Sequence, residues 1–143
     1  MKRILAALLL LSSFQAFASN ELIIELLQNG MLCNKEEALL YEAVENIQKD
    51  PTSAEFKEAF EVAVNKSGEC LTKAKDVLLS NNSCTEKIET LLVSDVVCNA
   101  ERSNLESASE LHDRAPSINT HIDFVVAERE YASCSERAFD LCK

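Results

Sequence analysis

The sequence predicts an all-α domain held by disulfides, and three observations predict it. Two glycines, two prolines and no tryptophan in 143 residues leave little material for the turns and aromatic pairs of a β-sandwich. Alanine, leucine, glutamate and lysine, all strong helix formers, fill the segments between breaks. Six cysteines, Cys33, Cys70, Cys84, Cys98, Cys134 and Cys142, follow an amino-terminal segment with the pattern of an export signal.

That segment opens with Lys2 and Arg3, continues through an apolar run at 4–11, and closes with Ala16, Phe17 and Ala18 in the small-any-small order accepted by signal peptidase. The run is shorter than the roughly 20 residues that span a bilayer, and no second long apolar run follows. The expectation is a signal peptide at 1–18 and one helical disulfide-bonded domain at 19–143, secreted to the extracellular space or a bacterial periplasm, with no stable membrane insertion after cleavage.

The first helix is expected over 20–28, with Leu22, Ile23, Leu26 and Leu27 on a broad apolar face and Gly30 as a left-handed stop. Asn34, three residues before Glu37, reads as the N-cap of a second helix that ends at Asp50 and Pro51 and turns Ala38, Leu39, Tyr41, Val44 and Ile47 to the core. Thr52 with Glu55 reads as a capping box opening a third helix, on Phe56, Phe60, Ala63 and Val64, that stops at Gly68. A fourth covers 70–80 through Leu71, Ala74, Val77 and Leu78. Ser83 with Glu86 is another capping box, opening a segment through Ile88, Leu91, Leu92, Val96 and Val97 that extends or bends near Asn99. Between Glu101 and Asp113 only Leu105 and Leu111 are strongly apolar, as in an exposed continuation or a weakly ordered stretch. After Pro116 a last helix over 117–141 is expected to bury Ile122, Val125 and Val126, then Tyr131, Ala138 and Leu141. No internal repeat or low-complexity linker stands out.

Loss of Lys2 and Arg3 with the signal leaves 12 basic residues against 24 acidic ones. Nucleic-acid affinity comes largely from lysine and arginine neutralising phosphates, so nucleic acid is excluded as a partner, and an anionic membrane surface is disfavoured likewise. In an oxidising compartment six cysteines read as three disulfides rather than a thiolate metal site. Cys134 and Cys142 sit too far apart along one helix to bond each other. Helical hairpins at Asn81–Asn82 and at Pro116 would then pair Cys70 with Cys98 and Cys84 with Cys142, leaving Cys33 for Cys134. The spacing departs from the close second and third cysteines of odorant-binding proteins and from the terminal cysteine pairs of saposin-like domains. It also lacks the glycine-rich calcium loop of secreted phospholipases, although His112 and Asp113 are adjacent.

His112 and His121, with Asp113 and Asp123 nearby, are the only histidines, and a histidine beside a carboxylate can act as a general base or metal ligand. No serine motif, metalloprotease spacing or phosphate loop accompanies them, and no calcium loop is present. No catalytic residue, metal or cofactor is therefore assigned. Asn65 with Ser67 and Asn81 with Ser83 match the glycosylation acceptor triplet, which matters only in a eukaryotic host. The expected function is that of a secreted non-catalytic protein-interaction module, of effector, inhibitor or signal type, with an unknown protein partner. The alternative is a helical carrier of a small apolar ligand. Leu22, Ile23, Leu26, Leu27, Phe56, Phe60 and Phe124 are the candidate ligand or partner contacts.

Overall fold

The computed structural model describes residues 21–143; the signal-peptide assignment falls outside them. Six helices follow one another: α1 (Glu21–Gln28), α2 (Asn34–Lys49), α3 (Ala54–Leu78), α4 (Cys84–Val93), α5 (Asn99–Arg114) and α6 (Ile118–Asp140). The closest helix pairs are the hairpins α2–α3 and α5–α6. The main core is built from α1, α4, the carboxyl-terminal parts of α3 and α6, and the links that follow α1 and α4; Ile23, Leu26, Met31, Leu78, Ile88, Leu91, Val96 and Val97 are almost wholly buried there. A smaller cluster of Leu40, Ala43 and Ala63, with Phe60 against it, lies within the first hairpin.

The chain is built of two equivalent halves, contrary to the expectation of no repeat. At an offset of 65 residues Ile23, Leu26, Leu27, Cys33, Asn34, Glu36, Leu40, Ala43 and Pro51 recur as Ile88, Leu91, Leu92, Cys98, Asn99, Glu101, Leu105, Ala108 and Pro116. The first hairpin loop is one residue longer, so Phe60, Ala63, Cys70 and Ala74 match Phe124, Ala127, Cys134 and Ala138 at an offset of 64.

Local geometry repeats with the sequence. α1 ends in a Schellman arrangement, with the Met31 amide donating to the Leu26 carbonyl and the Gly30 amide to that of Leu27; Val96 to Leu91 and Asp95 to Leu92 do the same after α4. Gly30 and Asp95 occupy the left-handed region at φ 62° and 58°. Leu32 and Val97 then form an isolated antiparallel bridge, in which the Cys33 amide donates to the Val96 carbonyl and the Cys98 amide to that of Met31. Cys33 and Cys98 take the left-handed conformation too, at φ 52° and 56°, and act as the N-caps of α2 and α5 without a side-chain bond.

Asn34 is therefore not the cap of its own helix. Its Oδ1 accepts from the Ala100 amide at 3.0 Å and its Nδ2 donates to Glu101, while Asn99 Oδ1 accepts from the Lys35 amide at 3.0 Å and its Nδ2 donates to Glu36. Each asparagine thus accepts from one otherwise free first-turn amide of the helix in the other half. Asn99 is completely buried, and its side-chain oxygen and its amide nitrogen each have a protein partner.

The disulfides join Cys33 to Cys70, Cys84 to Cys142 and Cys98 to Cys134. Cys84–Cys142 agrees with the sequence reading; the expected Cys70–Cys98 and Cys33–Cys134 pairs are corrected. Cys33 lies 18 residues before Pro51 and Cys70 lies 19 after it, while Cys98 and Cys134 each lie 18 from Pro116. Each hairpin thus brings its own two cysteines back together. The misreading came from Gly68: α3 runs through it without a break, because one glycine among good helix formers costs only about 1 kcal/mol against alanine. Ser53, not Thr52, caps α3, accepting from the Phe56 amide, while the Thr52 hydroxyl is held by Asp50. The Ser83–Glu86 capping box forms as expected, and the polar stretch from Glu101 to Asp113 is helical, inside α5.

Candidate interaction surface

The start of α6 is fixed by a second capping box: the Ser117 hydroxyl accepts from the Thr120 amide, and the Thr120 hydroxyl accepts from the Ser117 amide. That sets which residues face α5. Ala127, Cys134 and Ala138 are buried and Tyr131 is half-buried on the inner face. Helices tied by a disulfide at close range favour small residues between them, and the large apolar residues are turned outward.

Ile118 is 80 % exposed, Ile122 52 %, Val126 49 % and Val125 36 %. The expectation that Ile122, Val125 and Val126 are buried is thus corrected, as it is for Ala38, Leu39 and Val64 in the first hairpin, where Leu40 and Ala43 face inward instead and Ala63 is buried as expected. At 3.6 residues per turn, positions 118, 122, 125 and 126 form one ridge about 12 Å long. Leu111, 50 % exposed, lies near the same end of the hairpin on α5. Scattered exposed apolar residues are ordinary on a protein surface; four together on one helix face make a candidate contact surface.

The repeat supplies an internal control. In α3 the positions matching Ile118, Ile122, Val125 and Val126 hold Ala54, Glu58, Glu61 and Val62. A hairpin of the same design therefore forms with carboxylates on its outer face, and the fold does not require the apolar ridge.

Beside the ridge, an open groove of about 470 Å³ runs between α5 and α6, lined by Leu105, Glu106, Ser109, Glu110, Phe124 and Glu128. Glu106 and Glu110 are ion-paired with Arg102 and Arg114 on their own helix, while Glu128 has no ion pair among the described residues. His112 and His121 come together with ring centroids 5.3 Å apart, and His112 also stacks near Phe124 at 6.3 Å. His112 Nδ1 is 3.2 Å from the Thr120 hydroxyl; neither imidazole hydrogen-bonds Asp113 or Asp123. The two histidines lie together at the end of the hairpin where α5 gives way to α6. The one group with metal-ligand proximity among the described residues, Cys33, Glu36 and Cys70, has both sulfurs committed to a disulfide.

The candidate contact residues lie in three places. Ile23 and Leu26 are in the main core, with Leu22 and Leu27 packed against it; Phe60 belongs to the small cluster of the first hairpin and Phe56 is half-buried near the start of α3; Phe124 is in the second hairpin. The ridge at 118–126 was overlooked because periodicity finds an apolar stripe without saying which way it faces. Among the described residues no helix is long and apolar enough to cross a membrane. Asn81 is exposed in the loop between the halves, whereas the Asn65 triplet lies within α3 with Ser67 buried. Comparison of the chain with protein families, curated proteins and solved structures gives no match.

Proposed function

We propose that this protein is an exported, non-catalytic interaction module that meets a protein partner through the outer face of α6. The observation that carries the reading is the ridge of Ile118, Ile122, Val125 and Val126 on a hairpin whose twin builds the same fold with Glu58 and Glu61 in the corresponding places. Three disulfides support an oxidising destination, since cytosolic thiols stay reduced. The module belongs outside the cytoplasm, where such cross-links let a thin core persist.

The test is parallel capture from the native extracellular or periplasmic fluid, using the oxidised chain and its I122E/V125E variant. Because Glu58 and Glu61 are tolerated in α3, the variant keeps its helical circular dichroism. A protein retained by the parent chain and lost by the variant supports the reading; identical retention by both removes α6 from the function.

A further inference from the structure

From the chemistry around the ridge we infer that its partner is a basic amphipathic helix of another protein; this rests on the interaction reading above. Every described element is helical and the single β-bridge is internal, so there is no open strand edge for an extended peptide to join. A straight ridge of about two turns suits a second helix presenting apolar side chains at i, i+4 and i+7.

Charge then selects the kind of helix. By helical position Asp123 and Glu130 border the ridge on one side and Glu128 on the other, with Arg129 at its carboxyl-terminal end. Among the described residues none of the four side chains is ion-paired, and all four residues are exposed. Three carboxylates against one guanidinium, on a chain with 24 acidic residues, complement lysine or arginine along the edges of an incoming helix. A second copy of this chain is a poor match. Antiparallel packing of two α6 ridges gathers Asp123, Glu128 and Glu130 of both copies at one seam with one arginine from each to offset them, and like charges across an interface are repulsive.

The experiment titrates the oxidised chain with a leucine–lysine amphipathic peptide of about 18 residues and with its leucine–glutamate counterpart, by calorimetry at two salt concentrations. The basic peptide is expected to bind, more weakly at high salt, and the acidic one to bind at least about tenfold more weakly. I122E/V125E separates docking from bare attraction, because it adds two negative charges while removing the ridge. Docking predicts a loss of about tenfold or more; simple electrostatic attraction predicts unchanged or tighter binding, which overturns the inference. Equal binding of both peptides also overturns it, leaving the interaction reading intact. A dimer seen by sedimentation and abolished by I122E/V125E assigns the ridge to a second copy instead. Failure of both peptides removes the basic helix as partner, and the interaction reading falls with it only if the capture experiment shows no dependence on α6.

Discussion

The two hairpins share their interior and differ on their exterior. Leu40, Ala43, Phe60 and Ala63 inside the first correspond to Leu105, Ala108, Phe124 and Ala127 inside the second, and each pair of helices is closed by a disulfide of nearly equal span, 37 and 36 residues. Outside, Ala54, Glu58 and Glu61 stand where the second hairpin has Ile118, Ile122 and Val125, and Asn46 stands where it has Leu111. What the halves share is what packing needs. What only one of them carries is available for another use.

The comparison is most severely tested at the disulfides. Replacing Cys33 and Cys70 together by serine, or Cys98 and Cys134 together, should each cost about 3 to 4 kcal/mol, because loops of similar length are released. Urea denaturation of the two variants should give losses equal to within about 1 kcal/mol; a larger inequality would show that the hairpins are not energetic equivalents.

Next in size are the crossed asparagines. Asn99→Ala should destabilise by about 1 to 3 kcal/mol, since it frees the Lys35 amide and leaves Glu36 without its donor in a buried setting. Asn34→Ala should cost less, about 1 kcal/mol, because Asn34 is only half-buried and water can reach its partners. Thermal denaturation of both variants would show the order; the reverse order would mean that burial does not distinguish the two junctions.

The outer faces should be nearly neutral to stability. I122E/V125E is expected to change the unfolding free energy by no more than about 0.5 kcal/mol, and the reciprocal E58I/E61V by as little. E58I/E61V should instead give the first hairpin a ridge of its own, seen as added binding of the basic peptide or as self-association. If it does neither, the acidic borders matter more than the ridge.

The smallest effect separates two caps. Hydrogen bonds from the Thr52 hydroxyl and amide hold the Asp50 carboxyl below its usual value of 3.8, and bonds from the Ser83 amide and hydroxyl hold Glu86 below 4.5. With folded values depressed, each contributes stability that is present above the unfolded value and lost as pH falls through the folded one. Both groups are fully exposed, so Asp50→Asn and Glu86→Gln should lower the melting temperature only slightly at pH 7 and flatten its fall below about pH 5, the difference from the parent chain closing in acid.

Much of the architecture is written locally. The capping box at Ser83 and Glu86, the left-handed stop at Gly30, the turn at Pro116 and the inward residues Ile88, Leu91 and Leu92 follow from short-range rules that the fold obeys. The reach of α3 through Gly68 was not legible, because the cost of one glycine is decided by the rest of the helix. The pairing of the halves was hidden for another reason. It rests on a few positions, chiefly Cys33, Asn34, Glu36 and Pro51 with their counterparts, separated by long stretches in which the two copies have little in common. The ridge on α6 was visible as an apolar stripe, but its orientation depends on Cys98 and Cys134, whose bond turns the small-residue face inward.

No disulfide crosses between the halves: Cys33–Cys70 lies in the first, and Cys84–Cys142 and Cys98–Cys134 in the second. The only covalent link is the backbone through the exposed Asn81 and Asn82. A single proteolytic cut there would turn one chain into two subunits joined by the bridge, the crossed asparagines and the shared core. From that moment its stability would depend on concentration, and dilution alone could take it apart.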